Sequence, residues 1–436
     1  MKPLVRALVL LGCAGVARAQ VQVLQQDLDG DGVADLRIVG NGAAQRIRLV
    51  DSGAALLLTV DANGDGDTSD PGELQDEPVG SFESVFVEAG GGNDQVSYVL
   101  GGAFPGPFSQ LVGVVRRIRI DLGAGNDQCD AFIGGDVLGK SDLSVDVIGG
   151  SGNDTVLVGA RHVEASKLAL RCDAGAGDDS VVLDLTQEMS GARIDARCDL
   201  GAGTNSLGFV QFATLTEGTC ARVRIDGGAA KDVVGYEWIG RIENGASLEF
   251  VARGNAGDDI LSVADSGGAG GAGGLFGDVD GAPPRARFEL DGGEGDDDVR
   301  FGTGNVPHPL AVEGRLEVAL AGGAGDDHVR VELNDGGELT STAVFADASM
   351  AVELDGGAGD DAVTCALAAT TFVGPYDLAI RGGAGDDLLT FSAAVPGTSA
   401  LFPRPFVEVD GGLGVDVAAT AAPVGFPLRL RNVEGP

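Results

Sequence analysis

Short stretches in which apolar and polar residues alternate recur along most of the chain. In residues 285–290, Ala286, Phe288 and Leu290 alternate with two arginines and a glutamate. The same alternation occurs in residues 117–120, 222–225, 315–320 and 352–354. Alternation predicts β-strands that have one buried face and one exposed face. Each predicted strand runs into a glycine-rich turn, and a second strand leaves that turn, as in residues 298–301.

The glycine-rich turn is itself a repeated unit. Its clearest copy is residues 291–299, and near copies follow one another at spacings of 25 to 38 residues. The twelve copies start at Glu88, Asp121, Ile148, Asp173, Asp199, Asp226, Arg253, Asp291, Ala321, Asp355, Arg381 and Asp410. A period in this range indicates stacked repeats that bury their apolar faces against one another. The sequence therefore predicts an all-β fold. We expect a parallel β-solenoid, similar to a β-helix or β-roll, with about twelve coils in residues 81–436 and an N-terminal β cap.

Positions in each turn are numbered from slot zero, the residue that starts the copy. Slots one and two are mostly glycine, slot four is glycine except at Ala230, and slot six is aspartate except at Asn205. Slot eight is apolar in every copy, as at Val96 and Leu389. Glycine allows positive φ angles that turn backbone carbonyls inward, and carboxylate and carbonyl oxygens are the ligands that Ca²⁺ prefers. The alternative is a glycine bend that binds no metal.

This pattern resembles the hemolysin-type, or repeats-in-toxin, nonapeptide GGxGxDxUx, where U is a large apolar residue. The resemblance covers the turns of residues 88–420. It implies that calcium ions are shared between the turns of successive coils. The slot-six ligands that it implies are Asp94, Asp127, Asp154, Asp179, Asp259, Asp297, Asp327, Asp361 and Asp387. The resemblance leaves three possible roles for the slot-five acids, which are to bind the ion, to steer it or to stay solvated. These acids are Asp178, Asp258, Asp296, Asp326, Asp360 and Asp386.

The chain also departs from the family pattern. Family repeats usually follow one another directly and place turns on both edges, whereas this chain has one turn in each coil, so we expect one column of ions. Three turns are altered, at residues 204–205, at residues 230–231 and at Val415, and we expect weak or empty sites there. The ammonium group of Lys231 is a candidate substitute for an ion. Further candidate internal cations at slot zero are Arg253 and Arg381.

Two acidic loops precede the array. The first loop carries acids at loop positions one, three, five and nine, which are Asp27, Asp29, Asp31 and Asp35. The second loop carries Asp61, Asn63 and Asp65, with Glu73 one place after the usual final ligand. Both resemble the short DxDxDG calcium loops of dockerin-like and thrombospondin type 3 modules, which implies Ca²⁺ binding. The alternative for the first is an acidic turn before a strand at residues 36–39. We interpret residues 20–80 as an N-terminal cap or a small β module.

The N-terminus indicates export. Residues 1–19 have a basic start at Lys2 and Arg6, a short apolar run and a small-x-small cleavage pattern, as in a signal peptide. A rival interpretation is a lipoprotein signal in which Cys13 becomes a lipid-anchored N-terminus. Either interpretation predicts a secreted protein or a protein of the outer cell surface. No later segment is apolar and long enough to predict a transmembrane span.

The net charge of −37 limits the possible partners, because 66 acidic residues face 29 basic ones. Nucleic acid and anionic membrane surfaces are unfavourable partners for such a chain. Bound cations would relieve its self-repulsion, so calcium ions are the expected partners. A surface polysaccharide or a protein partner stays open.

The cysteines and histidines predict little chemistry. Cys172 and Cys198 occupy the same inward position in consecutive coils, so either a disulfide between them or two buried thiols is possible. The three histidines, His162, His308 and His328, have no metal-ligand spacing.

Two classes of function fit these observations. The first is a non-enzymatic, exported calcium-binding protein with a structural, cell-surface or adhesive role, ordered by Ca²⁺ between its coils. The second is a polysaccharide-active β-helix enzyme, a lyase or an epimerase. Such an enzyme needs a groove with acid–base groups and aromatic side chains, and the chain has only 1 Trp and 3 Tyr. The sequence therefore favours the first class.

Overall fold

The computed structural model of the 436-residue chain describes most of the predicted array. The described residues are 6–8, 21–27, 32–70, 73–79, 82–101, 110–265, 274–276, 282–302, 311–333, 343–344, 348–367, 371–372, 374–393, 406–421 and 428–434. Three predicted residues, Cys13, Asp29 and Asp31, lie outside them. Within these ranges no helix is long and apolar enough to cross a membrane.

The fold is an all-β parallel solenoid, so the fold class predicted from the alternating pattern is confirmed. The chain divides into two compact units, one of Met1–Thr186 with Ala192–Ala202 and one of Gln187–Gly191 with Gly203–Pro436. In both units each coil contains an entry strand, which runs into the glycine turn, and an exit strand, which leaves it.

The first unit has parallel entry strands from residue 35 onward. They are Asp35–Val39, Ser84–Glu88, Val115–Ala124, Asp142–Ser151, Lys167–Asp173 and Arg193–Asp199. Two preceding strands, Arg6–Leu8 and Gln22–Gln26, pair in antiparallel fashion and lead into this sheet. Antiparallel pairing is thus confined to the N-terminal side of the sheet.

The exit strands of the first unit follow the same plan. They are Arg46–Asp51, Gln95–Leu100, Gln128–Leu138, Thr155–Glu164 and the first part of Ser180–Ser190. Arg46–Asp51 also begins an antiparallel meander with Leu56–Asp61 and Leu74–Val79. Gln110–Val112 pairs with the far end of Gln128–Leu138, beyond a shift in register.

The second unit repeats the pair of strands in seven coils of the described chain, preceded by one exit strand and followed by one entry strand. Its entry strands are Cys220–Asp226, Ser247–Ala256, Arg285–Glu294, Arg315–Ala324, Ser349–Ala358, Tyr376–Ala384, Phe406–Leu413 and Leu428–Arg431. Its exit strands are Ser206–Gln211, Val233–Trp238, Ile260–Asp265, Asp298–Gly302, His328–Glu332, Ala362–Leu367, Leu388–Ala393 and Val417–Ala421. Neighbouring entry strands pair in parallel, and so do neighbouring exit strands.

A third column of short strands was not predicted. These strands are Thr214–Thr216, Arg241–Glu243, Gly274–Phe276, Ala311–Val312, Ala343–Val344 and Thr371–Phe372. They pair in parallel from coil to coil. Each has too few residues to show an alternating pattern, although single buried residues such as Leu215, Ile242 and Leu275 mark the column. The return connection of these six coils is therefore partly ordered into strand.

The core is built from the inward residues of these strands. Ala286, Phe288 and Leu290 are each at most 2% exposed, whereas Arg285 and Arg287 face outward. The predicted alternation is confirmed here. Parallel stacking places equivalent side chains about 4.8 Å apart, so each coil buries its apolar face against the next.

The predicted inward cysteines are buried in this core. Cys172 and Cys198 are direct partners on neighbouring strands, and both are free thiols in the structure. Cys129 and Cys365 are also buried. Cys220 is only half-buried, because it begins its entry strand on the outward side.

Candidate functional site

Each turn uses two glycines to reverse the chain. In residues 291–299, Gly293 and Gly295 have φ angles of 109° and 129°, which side chains with a Cβ rarely adopt. Gly293 still pairs in parallel with Gly323 of the next coil, so the entry strand continues into the turn rather than ending at slot zero. The bend follows at slots four to six, while neighbouring turns stay in register.

The slot-six side chains all point inward. Asp297 is 2% exposed and Asp327 is 0% exposed. The buried slot-six carboxylates are Asp94, Asp127, Asp154 and Asp179 in the first unit and Asp232, Asp259, Asp297, Asp327, Asp361, Asp387 and Asp416 in the second. All nine aspartates predicted as slot-six ligands occupy this inward position. Such a series of buried acids needs compensating partners, because burying an isolated carboxylate is costly.

One oxygen of each carboxylate joins neighbouring coils. The backbone N–H of Asp297 donates to Oδ1 of Asp327 at 2.8 Å, and the N–H of Asp327 donates to Oδ1 of Asp361 at 2.8 Å. The same bond recurs from Asp94 to Asp179 in the first unit, and from Asn205 to Asp416 in the second. Hydrogen bonds to a carboxylate are stronger than neutral ones, so this ladder fixes the spacing between turns.

The other oxygen, Oδ2, has no comparable partner. In nine slot-six aspartates it is buried and accepts no hydrogen bond from any described residue. These nine are Asp94, Asp127, Asp154, Asp259, Asp297, Asp327, Asp361, Asp387 and Asp416. Leaving a buried acceptor unsatisfied costs about 1–3 kcal/mol, and more when the group is charged. The site therefore calls for a proton or a cation beside Oδ2.

A small space beside Oδ2 is kept open where slot one is glycine, whereas the turns of Asp94 and Asp127 carry Ala89 and Leu122 there. A Cβ added to Gly356 would lie 2.5 Å from Oδ2 of Asp361 and 2.5 Å from the carbonyl oxygen of Gly382 in the next coil. The equivalent space occurs at Gly254, Gly292, Gly322, Gly382 and Gly411. A carboxylate oxygen and a carbonyl oxygen from two coils thus border one position. Both are hard oxygen donors of the kind that bind Ca²⁺, so they fit two of the six to eight oxygen ligands that a calcium ion takes.

Burial raises the pKa values of the slot-six carboxyl groups. For Asp94, Asp297 and Asp361 burial, together with neighbouring aspartates, raises the pKa to about 7. For Asp154 and Asp259 the same causes raise it to about 6. The pKa values that burial raises, without a number attached, are those of Asp127, Asp179, Asp327 and Asp387. Without a cation, burial therefore shifts these carboxyl groups towards their protonated form.

The slot-five acids lie on the opposite, exposed face of the turn. Asp326 accepts the backbone N–H of Asp360 at 2.9 Å, and Asp360 accepts that of Asp386 at 2.8 Å. The exposed slot-five acids are Asp178, Asp258, Asp296, Asp326, Asp360 and Asp386. Because slots five and six face opposite sides, the slot-five side chains do not border the space beside Oδ2. They form an outer, solvent-exposed ladder of hydrogen bonds that orders the turn.

The three altered turns differ from one another. At slot six of the first, Asn205 donates from its amide Nδ2 to the carbonyl of Gly203 at 3.1 Å. In the second, Oδ2 of Asp232 accepts the backbone N–H of Gly228 at 2.6 Å. In the third, the substitution at Val415 is on the exposed face, so Asp416 has the same inward geometry as its neighbours. The third turn therefore keeps the features of the regular turns.

The basic residues proposed as internal cations lie on the outside. Lys231 is exposed at slot five, so it does not reach the interior. Arg253 and Arg381 are exposed at slot zero, where they pair with Asp226 and Glu353. The prediction for these three was wrong because slots zero and five both face solvent.

The first acidic loop is only partly described. Asp27 is exposed, and its Oδ2 accepts the N–H of Gly32 at 3.1 Å. Asp35 is 2% exposed and begins a strand, whereas Asp29 and Asp31 lie outside the described residues. The described part brings no set of ligands together.

The second acidic loop does bring acids together. Ligand atoms of Asp61, Asp65 and Glu73 lie within 4.8 Å of one another. Both oxygens of Asp61 already accept backbone N–H groups, from Gly64 at 2.6 Å and from residue 66 at 2.9 Å. Asn63 points its amide nitrogen at Asp65 and residue 70, at 3.1 and 2.8 Å. Asn63 therefore acts as a donor within the loop, while the three acids form the candidate cation site.

Comparisons with protein-family models, with curated proteins and with solved structures found no match to this chain. The resemblance of its turns to hemolysin-type repeats therefore stays a prediction. What the turn does has to be argued from its own geometry.

Proposed function

We propose that this chain is a calcium-binding repeat protein whose coils are joined by ions held beside the slot-six aspartates. The observation that carries the proposal is the set of nine buried Oδ2 atoms without a hydrogen-bond donor. A divalent ion supplies the missing partner where glycine at slot one leaves space beside Oδ2, and it offsets the charge that burial penalises. Equivalent oxygens from successive coils make the ligand set dependent on stacking.

The donors favour Ca²⁺ over other common metals. Carboxylate and backbone carbonyl oxygens are hard ligands, and Ca²⁺ accepts them in irregular geometries, whereas Mg²⁺ demands a near-octahedral set. The thiols of Cys172 and Cys198 lie elsewhere in the core, and they pair with each other rather than facing the turns. A net charge of −37 further favours the uptake of divalent cations.

An ion shared between coils couples binding to folding. Ions that bind only the stacked form stabilise that form by mass action. Such a chain would be less stable at low Ca²⁺ than at the millimolar Ca²⁺ typical of extracellular modules. This behaviour suits an exported protein with a structural, cell-surface or adhesive role. The second acidic loop adds a site at Asp61, Asp65 and Glu73 on the same proposal.

The proposal is tested by counting ions on matched variants. Asp327→Asn keeps the shape of a buried slot-six side chain but removes its charge, and we expect it to lower the number of bound Ca²⁺ ions in isothermal titration calorimetry. Asp326→Asn makes the same change in the adjacent, exposed residue and should leave the count unaltered. A wild-type chain that binds no Ca²⁺, or equal losses in both variants, would refute the proposal.

A second candidate function, polysaccharide cleavage, rests on one cluster in the exit strands. Nδ1 of His162 and Nη2 of Arg161 each lie 3.1 Å from Oδ1 of Asp136. Burial acts to raise the pKa of Asp136, but hydrogen bonds from His162, Arg161 and Gln110 hold it below its ordinary value. A histidine oriented by a carboxylate can act as a general base. Turnover of uronic-acid polymers that is lost in His162→Gln would support this function, and a wild-type chain without turnover would contradict it.

A further inference from the structure

A further turn of the same kind lies inside the segment predicted as the cap. Val39 pairs with Glu88, the slot-zero residue of the first repeat, and Arg46 pairs with Gln95 at slot seven. By this register Gln45 occupies slot six, and its backbone N–H donates to Oδ1 of Asp94 at 2.8 Å. Residues 39–47 therefore form a solenoid turn in which an amide replaces the carboxylate.

The amide of Gln45 is surrounded by backbone carbonyls. The side chain is buried, with the residue only 1% exposed. Its Nε2 donates to the carbonyls of Ala43 at 2.8 Å, Ala89 at 3.1 Å and Asn41 at 3.3 Å. Its Oε1 lies 2.5 Å from the point where a Cβ on Gly40 would stand. The amide must present its nitrogen to this cage, since an oxygen there would face three carbonyl oxygens.

These positions correspond to those of the aspartate turns. Gly40 is at slot one, so Oε1 of Gln45 borders the same space as Oδ2 of Asp361 beside Gly356. The carbonyl of Ala89 is the slot-one carbonyl of the next coil, which corresponds to that of Gly382 beside Gly356. Nε2 of Gln45 therefore occupies a position that is next to the side-chain oxygen and is lined by backbone carbonyl oxygens.

The altered turn of the second unit shows the same contact independently. Nδ2 of Asn205 donates to the carbonyl of Gly203, which is at slot four, as Ala43 is in the turn of Gln45. A side chain one methylene shorter thus also delivers an N–H donor to the slot-four carbonyl. Asn205 is 1% exposed and remains in the inner ladder through its N–H bond to Oδ1 of Asp232.

We propose that the amide nitrogens of Gln45 and Asn205 are built-in substitutes for the cation, so that these two turns close without an ion. The inference rests on the proposed function, because it takes the aspartate turns to hold Ca²⁺. It identifies two turns, those of Gln45 and Asn205, in which a side chain of the protein takes the place of an ion. The coil that contains Gln45 then needs no Ca²⁺ to order, and it presents a metal-independent template to the coil of Asp94.

The test converts each amide into the isosteric carboxylate. Gln45→Glu and Asn205→Asp should each add one bound Ca²⁺ per chain to the wild-type count, measured by equilibrium dialysis with ⁴⁵Ca²⁺. Gln95→Glu, a glutamine-to-glutamate change on the exposed face of the neighbouring exit strand, should add none. In chelator Gln45→Glu should melt at a lower temperature than Gln95→Glu, and Ca²⁺ should restore it.

The outcomes distinguish a failure of this inference from a failure of the proposed function. A wild-type chain that binds Ca²⁺ while both amide variants keep the wild-type count would overturn the inference alone. A wild-type chain that binds no Ca²⁺ would overturn the proposed function and the inference with it. If Gln45→Glu does not fold in chelator, its ion count in Ca²⁺ and the count for Asn205→Asp still decide between these results. Gln45→Ala, which lacks both carboxylate and amide, should be destabilised without rescue by Ca²⁺.

Discussion

The substitution Asp361→Asn should change the stability of the protein in opposite directions with and without Ca²⁺. Asp361 is buried at slot six, and its Oδ2 has no hydrogen-bond donor among the described residues. Asparagine has the same shape, and its Oδ1 can still accept the N–H of Asp327. Its amide can also donate to a slot-four carbonyl, as Asn205 does. The substitution therefore removes the charge and leaves the ladder in place.

In chelator the buried carboxyl group of Asp361 destabilises the folded chain above neutral pH. Burial, together with Asp327 and Asp387, raises its pKa from 3.8 to about 7. Between these two values the unfolded chain is ionised and the folded chain holds a proton. Stability therefore falls as the pH rises through this window and stays low above it. Three pH units at 1.36 kcal/mol each put the loss at about 4 kcal/mol at most. Asp361→Asn removes the loss, so it should stabilise the chain at about pH 8.

In Ca²⁺ the sign should reverse. An ion bound at one site, at a free concentration 100-fold above its dissociation constant, stabilises the folded chain by about 2.7 kcal/mol. The neutral amide of Asp361→Asn forfeits this contribution, while the wild-type carboxylate is ionised and paired. The variant should then unfold at a lower urea concentration than the wild-type chain.

Urea unfolding followed by circular dichroism measures both effects in one buffer. The midpoints of Asp361→Asn and the wild-type chain are compared at about pH 8, once with chelator and once with Ca²⁺. Asp360→Asn, the adjacent change on the exposed face, serves as the control and should change the free energy of unfolding by no more than about 0.5 kcal/mol in either buffer. A shift of the same sign in both buffers would refute the reasoning.

Three further predictions concern the packing around the site. Gly356→Ala should cost about 1–3 kcal/mol in urea unfolding and lower the Ca²⁺ count, because its Cβ would collide with two oxygens. Gly208→Ala, where nothing lies within 4 Å of the added Cβ, should have a much smaller effect. Iodoacetamide should label the half-buried Cys220 before the buried Cys172, as read by peptide mass spectrometry, and the reverse order would contradict the register. Phe288→Ala should destabilise the second unit by about 3–5 kcal/mol, because the ring is fully buried, and a loss below about 1 kcal/mol would contradict that packing.

The regular part of the molecule was predictable because one pattern determines it. Alternation fixed which side chains of residues 285–290 enter the core, and the repeated glycines fixed where the chain turns. The inward position of the slot-six aspartates followed from their spacing of two from the apolar slot eight. The last described entry strand, Leu428–Arg431, follows the same plan and pairs in parallel with Phe406–Leu413.

The missed features are those in which the pattern is short or chemically altered. Each strand of the third column, such as Ala311–Val312, is too short for a period to register. The turn at residues 39–47 was missed because Gln45 replaces the expected aspartate, although Gly40 and the apolar Ile47 stand at their proper slots. Lys231 was misplaced because the charge of its side chain was weighed without the alternation that turns slot five outward.

The most direct measurement is anomalous X-ray diffraction from crystals grown in Ca²⁺. The account predicts calcium peaks beside Oδ2 of the inward aspartates, such as Asp297, Asp327 and Asp361, each within reach of a carbonyl from the next coil. It predicts none beside Gln45 or Asn205. A column without peaks, or peaks only at the exposed slot-five carboxylates, would contradict it.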